Sequence, residues 1–438
     1  MNTILVLGAG PAAVATSILL RQLGHDVRLV GKNKKDAFLE GASPRVVEGL
    51  RRVGCSNALR VLTDRRSRLS LWGERPKLAN SEYVVDRKAL DSALWLDAQC
   101  AGVSTLKARV RQVMKTPEGW MVIATDPGGD HHHLACRFLV EARGRSAPKI
   151  LPDEQAECRA ISLLRHFVSD GSTPSLTCSE PFEEGWAWAT SAVDGFCSVQ
   201  LVPDPDHLKP NDCETVLDVH QRMYAKLEHL PRLLGALDPA GTVLSRGIQP
   251  VRRGGIVSQD YLRVGDAAYC VDPLSGHGMY EAVSGAFAAA PTINTLLRRP
   301  QAHAVALRFY EERATRLFDA RAGAARHFYS ANEQWQHAQF WAARSHSVLQ
   351  ASTALSDVPL FDRRPVIEDG FITERLVLVT RDHPEGIRFV AGIELAGLLC
   401  QQGATADLSS VEEALIRLSI PAEQRRTLLI ALSGAASA

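Results

Sequence analysis

Two stretches carry residue types and spacings able to do chemistry. In "ILVLGAGPAAVATSILL", Gly8, Gly10, Pro11, Ala12 and the small Ala13 lie between an apolar run and a helical pattern. Glycines at such a turn let backbone N–H groups approach a pyrophosphate, and a helix N-terminus favours its charge. In "RVGDAAYCVDPLSGHGM", Asp266 follows Gly265, and Asp272-Pro273 opens a turn closed by Gly276, His277, Gly278 and Met279. Glycines around a rigid turn suit backbone lying close to a large flat ligand. An imidazole titrates near neutral pH, which makes His277 a candidate for proton transfer, although packing of the loop accounts for it equally well.

Strands and helices must position these residues. The apolar run through Leu7, the helix after Gly10 and a second strand from Asp26 to Val30 form the GxGxxA version of a dinucleotide fold. Gly8 allows the tight turn, Gly10 admits the pyrophosphate, and Ala13 lets helix and strand pack closely. The second strand ends "RLVGKNKK", with Gly31 where an acid usually holds a ribose. That contact is open. Lys32, beside Lys34 and Lys35, is kept as a candidate phosphate contact, while a solvated turn accounts for it as well. "EGASPRVVEGLRRVG" predicts a helix from Ser43-Pro44 with Val46, Val47 and Leu50 inward and Arg45 in its first turn as a further candidate contact. "YVVDRKALDSAL" predicts a strand delivering Asp86 and Arg87 to a helix start. Arg87 either reaches cofactor phosphates or sits in a structural ion pair.

Composition narrows the classes. A chain of 438 residues is long enough for two or three lobes. Lys+Arg of 50 against Asp+Glu of 49 leaves a net charge of +1, which gives no electrostatic case for nucleic acid or a membrane surface. Nine cysteines without a CxxC pair argue against a zinc knuckle or a redox dithiol and for reduced buried thiols. His131 to His133 follow one another on an expected hairpin strand and so point to alternating faces, which favours a solvated strand over a metal site. No basic n-region precedes the first apolar run and no apolar run reaches membrane length, so a soluble cytoplasmic protein is expected.

"GAGPAA", "VDRKALDSAL", "EARGRSA" and "RVGDAAYCVDPLSGHGM", in this order, resemble the single-component FAD monooxygenase and flavin-dependent halogenase superfamily over most of residues 1 to 300. The resemblance implies FAD as cofactor, Asp266 on its ribityl chain, and Pro273, Gly276, Gly278 and Met279 beside the isoalloxazine. It also implies a substrate-facing sheet over the flavin, matched by short alternating stretches between residues 151 and 260. "GWAWAT" is similar to the tryptophan motif of the halogenases, but Ala189-Thr190 replace its Ile-Pro, and Lys77 is the one lysine in a plausible interval, where a surface role serves it better. Hydroxylation through a flavin C4a-hydroperoxide is therefore favoured over halogenation, with NAD(P)H or a reductase as electron donor.

The expected fold class is α/β: a Rossmann-like FAD-binding domain over residues 1–345, interleaved with a β-sheet substrate domain at about 60–85 and 151–260. A helical region after about residue 305, a linker over 346–370 and a small winged-helix-like domain over 371–438 complete it. With this tail and no clear halide lysine, the chain is similar to the peptidyl-tryptophan hydroxylases that mature quinohemoprotein amine dehydrogenase. That resemblance implies dihydroxylation of a tryptophan toward cysteine tryptophylquinone, a peptide or protein substrate bearing that tryptophan, and maturation partner proteins. A halogenase, a small-molecule aromatic hydroxylase or reductase, and a non-catalytic flavin-binding peptide adaptor are the alternatives.

Overall fold

The computed structural model describes residues 3–32, 38–72, 76–155, 158–169, 175–191, 195–205, 214–345, 360–379, 383–390 and 393–395, with single positions at 413, 416, 421, 422, 425 and 426. The run Ile4–Leu7 is central to a six-stranded sheet, paired in parallel with Val27–Gly31 on one side and Phe138–Glu141 on the other. All four of its residues are buried, as a parallel strand covered on both faces requires. Helix Pro11–Gln22 packs on one face against helix Gly278–Arg298. Small residues such as Ala286, Ala288 and Ala289 allow that close approach. The antiparallel strands Arg109–Thr116, Gly119–Thr125 and His131–Cys136 cover the other face through Val122, Ala124 and Leu134. The histidines are thus on a hairpin strand, with His132 Nε2 2.9 Å from Asp126 Oδ2, and no metal-holding group of side chains occurs among the described residues.

A second sheet of eight strands runs in the order Leu237–Gly247, Ile161–Ser169, Phe196–Pro203, Gly185–Ser191, Thr177–Phe182, Asp64–Ser70, Lys77–Asp86, Leu39–Ala42. One face is apolar: Cys178, Ala187, Ala189, Val199 and Leu201 pack under helices Val216–Tyr224 and Leu230–Leu234. The helix Val216–Tyr224 escapes the sequence reading of this region as strands, although Thr215 and Asp218 form a capping box that marks its start. The other face carries polar side chains, among them Thr177, Ser179, Thr190 and Ser198, all buried. That polarity is set by the register: Thr177 lies opposite Arg68 and Thr190, and Ser179 opposite Ser70 and Trp188.

The helical region comprises His303–Ser330 and Gln339–Ser345. Residues 360–368, expected as linker, instead form a strand paired with Phe371–Val379. This hairpin is tied to helix Gly278–Arg298 by Ile372 N donating to Thr295 Oγ1 at 2.8 Å and Asn294 Nδ2 donating to the Gly370 carbonyl at 2.7 Å. The helices expected after Ser409 and Pro421 lie outside the described residues, save a few single positions. Among the described residues no helix is long and apolar enough to cross a membrane.

Candidate active site

The first half of the site is made of backbone. Gly8 has φ +140°, and a Cβ there would overlap the Ala142 carbonyl oxygen, so only glycine lets the strand end approach its neighbour. Helix Pro11–Gln22 then begins at Gly10 with no side-chain cap and no acid in its first turn, while Pro11, Ala12 and Ala13 are buried. A helix start of this kind presents unpartnered N–H groups and positive dipole charge, the requirement of a pyrophosphate. Gly31 closes against this turn: a Cβ at Gly31 would sit 2.5 Å from the Gly8 carbonyl oxygen. The missing ribose acid therefore has a steric reason, since no side chain fits there. Lys32 next to it is exposed.

Arg87 is ion-paired, one of the two roles its spacing allows. Its Nε donates to Asp91 Oδ1 at 2.8 Å and its guanidinium to Glu40 Oε2 at 2.7 Å, and these two carboxylates raise its pKa against the opposing effect of burial. The same guanidinium stands 3.4 Å from where a Gly10 Cβ would be. It is an ion-paired residue alongside the phosphate turn. Asp86 caps the helix Arg87–Cys100 by accepting from Lys88 N at 3.0 Å.

The late loop meets the early one. Gly265, φ +62°, lies so close to the first helix that a Cβ would stand 2.8 Å from Ala12 Cβ. Asp266 follows with Oδ2 3.6 Å from Arg145 Nε, and Arg145 comes from the "EARGRSA" turn. Cys270 is buried nearby, its Sγ 3.2 Å from the Asp266 carbonyl oxygen, and burial pushes its thiol up to about 12. Asp272 then caps the turn Pro273–Ser275 by accepting from Leu274 N at 2.8 Å, and Tyr329 donates its hydroxyl to Asp272 Oδ2 at 3.1 Å. Burial raises the Asp272 carboxyl and pushes the Tyr329 phenol well above its ordinary range.

Gly276 adopts φ +63°, and helix Gly278–Arg298 begins two residues later with no side-chain cap. A Cβ on Gly278 would meet nothing within 4 Å, so open space lies over this backbone, whereas Met279 is buried in the core. Half-buried His277 has its Nδ1 enclosed and without a hydrogen-bond partner. Its pKa is lowered, first by burial and then by the positive charge of Arg321, which keeps the ring neutral at neutral pH. Arg45, exposed, has its guanidinium carbon 5.9 Å from the centre of the Tyr280 ring on the same helix.

A cavity of about 1140 Å³ opens beside this loop. Leu274, Ser275 and His277 form one wall; Arg68, Ser70 and Ser179 come from the polar face of the large sheet; Trp72 and Phe328 are apolar. Trp72 is fixed by its Nε1 donating to the Phe328 carbonyl at 2.9 Å and by an edge contact to Trp341 at 5.2 Å between ring centres. Trp341, Phe340 and Tyr329 are core residues, whereas Phe328 is 45% exposed and lines the cavity. Lys77 is on the surface as expected, and it lines the cavity mouth as well. Arg68, Trp72 and Phe328 escape the sequence reading. A lone tryptophan ending the polar run "DRRSRLSLW" was the available signal.

No protein-family model matches the chain. The solved structure of QhpG, a peptidyl tryptophan dihydroxylase essential for tryptophylquinone cofactor biogenesis, is 34% identical, covers 99% of both chains and superposes with a TM-score of 0.83. The chain belongs to the FAD-dependent monooxygenase and halogenase superfamily. The flavin-dependent halogenase CmlS shares its fold at 17% identity, covering 99% of this chain and 95% of that one, with a TM-score of 0.81. Digeranylgeranylglycerophospholipid reductase 2 of Methanopyrus kandleri is 25% identical over 296 residues, 63% of this chain and 73% of the reductase. Members of this superfamily are flavin-dependent oxidoreductases, and the chain is an enzyme of that kind with FAD as cofactor. The buried uncapped helix start at Gly10 and the open space over Gly278 fit a dinucleotide with a flat ring at its far end.

Proposed function

We propose that the enzyme hydroxylates the indole of a tryptophan held in a peptide chain, in the biogenesis of a tryptophylquinone. The observation that carries this reading is the cavity of about 1140 Å³, which opens to solvent past Lys77 and Leu78 and is walled by Trp72 and Phe328 next to His277. Its side at Lys77, Leu78, Ala79 and Asn80 is exposed, as a substrate carried on a peptide chain requires. An indole stacked on Trp72 leaves room for flanking main chain. The likeness to the peptidyl tryptophan dihydroxylase along the whole chain supports the same substrate class.

In this reading Gly8, Gly10, Pro11, Ala12 and Ala13 hold the pyrophosphate, Asp266 binds the ribityl chain, and Pro273, Gly276, Gly278 and Met279 border the isoalloxazine. Arg87, oriented by Glu40 and Asp91, offers a guanidinium N–H beside Gly10, and Arg45 and Lys32 are outer contacts. When bound, and reduced by NAD(P)H or a reductase, FAD would supply the activated dioxygen that the ring attacks. Indole is electron-rich enough to react without a phenolate, so the protein's tasks are orientation, exclusion of water and removal of one proton. His277 lines the cavity, and its ring, held neutral by burial and Arg321, is the candidate to accept that proton.

The test is to incubate the purified protein with a reductant, air and a tryptophan peptide and weigh the product. Oxygen gained on the tryptophan supports the reading. A halide-dependent mass change on free tryptophan, with none on the peptide, overturns it in favour of halogenation, the alternative that Lys77 at the cavity favours.

A further inference from the structure

The strand Lys77–Asp86 is paired along one side with Asp64–Ser70. On its other side the partner Leu39–Ala42 begins only at Tyr83, which opposes Ala42, and continues to Asp86, which opposes Leu39. Among the described residues, the Lys77–Ser81 stretch therefore keeps one row of backbone N–H and C=O groups without a strand partner. Pro76 through Asn80 are all exposed, and Leu78, at 74%, is the most exposed large apolar side chain of the described residues. Proteins blunt, cover or pair such edges because they recruit other strands. Here Lys77, Leu78, Ala79 and Asn80 line the same cavity as Ser275 and His277.

We infer that this edge receives the substrate as an added strand: an extended peptide segment that pairs with Lys77–Ser81 and carries an acidic residue close to its target tryptophan. The inference rests on the reading of the enzyme as a peptidyl-tryptophan hydroxylase and deepens it. Main-chain pairing supplies affinity that does not depend on the segment's own fold, and the alternation of a strand sends every second side chain toward one face. One such side chain is the tryptophan entering beside Trp72. The preference for an acid follows from charge: Arg68 and Lys77 come from strands of the sheet, and among the described lining residues the one acid, Glu333, comes from the turn after helix His303–Ser330. A carboxylate next to the tryptophan meets Lys77 at the rim.

The experiment uses the FAD-loaded full chain and a synthetic acetylated peptide in which tryptophan lies between aspartate and valine, with binding read from the change in flavin absorption. Two further versions carry backbone N-methyl groups on alternate residues, so that each loses the N–H donors along one side of the strand only. The expected result is that one version binds roughly tenfold more weakly while the other matches the parent, since only one side pairs with the enzyme. Lys77→Glu, with FAD content unchanged, reverses the preference between the aspartate peptide and its lysine counterpart. Equal binding of both methylated versions overturns the inference, as does failure of the parent to bind. If the parent binds with the one-sided pattern yet its tryptophan gains no oxygen, the edge stands and the hydroxylase reading falls.

Discussion

The two halves of this active site are built on opposite principles. Around Gly8, Gly31 and Gly265 the walls are main chain and methyl groups, packed so tightly that a single added Cβ collides with backbone or with Ala12. Around the cavity the walls are long side chains, Arg68, Trp72, Lys77, His277 and Phe328, presented by a sheet, a loop and a helix end. The first half tolerates one ligand shape; the second can be reshaped one side chain at a time. Such a division lets one fold keep its cofactor while relatives act on targets as unlike as a peptidyl tryptophan and a digeranylgeranylglycerophospholipid.

Substitutions test that contrast. The largest effect is expected from Gly8→Val, which forces a branched side chain into left-handed backbone against the Ala142 carbonyl. Purified protein should carry almost no flavin absorption, and retention of normal flavin would break the comparison. Next, His277→Gln should leave FAD bound and lower turnover by about 100-fold, the lower end of what a positioned base contributes. In the parent enzyme, activity should rise with pH through a midpoint below the ordinary histidine value of 6.5 and be flat by neutrality, because burial and Arg321 disfavour the charged ring. A pH profile of the variant should lack that acid limb. Trp72→Ala should cost roughly tenfold in kcat/KM for a peptide, with the flavin spectrum unmoved, as expected for loss of one aromatic wall. Tyr329→Phe should be mildest at the level of turnover and lower stability by about 1–3 kcal/mol, since Asp272 loses a buried donor. A thermal melt with and without added FAD reads that change.

The same contrast explains what the sequence disclosed. Gly8 and Gly265 are legible because their backbone geometry admits nothing larger, so residue type alone reports the turn and the close approach. The alternating stretches between residues 151 and 203 likewise announced strands, since period-two patterning is local. The cavity was not legible in this way. Arg68 reaches Ser179's face through a parallel pairing with Thr177, and Trp72 is anchored by the carbonyl of Phe328, contacts between segments far apart in the chain. No periodicity encodes such register. Lys77 illustrates the boundary: its exposure followed from composition, but its place at the cavity mouth required the fold. Arg87 is similar, because spacing offered phosphate or ion pair, and the carboxylates it pairs with lie on Leu39–Ala42 and on its own helix.

Cys270 lies within one turn of the residues expected to border the flavin, in an enzyme whose work is oxidation. Its burial and raised pKa keep it as a protonated thiol, the form least open to peroxide. Burial thus gives this sulfur a double shelter: the thiolate that peroxide attacks is disfavoured, and the thiol itself is enclosed.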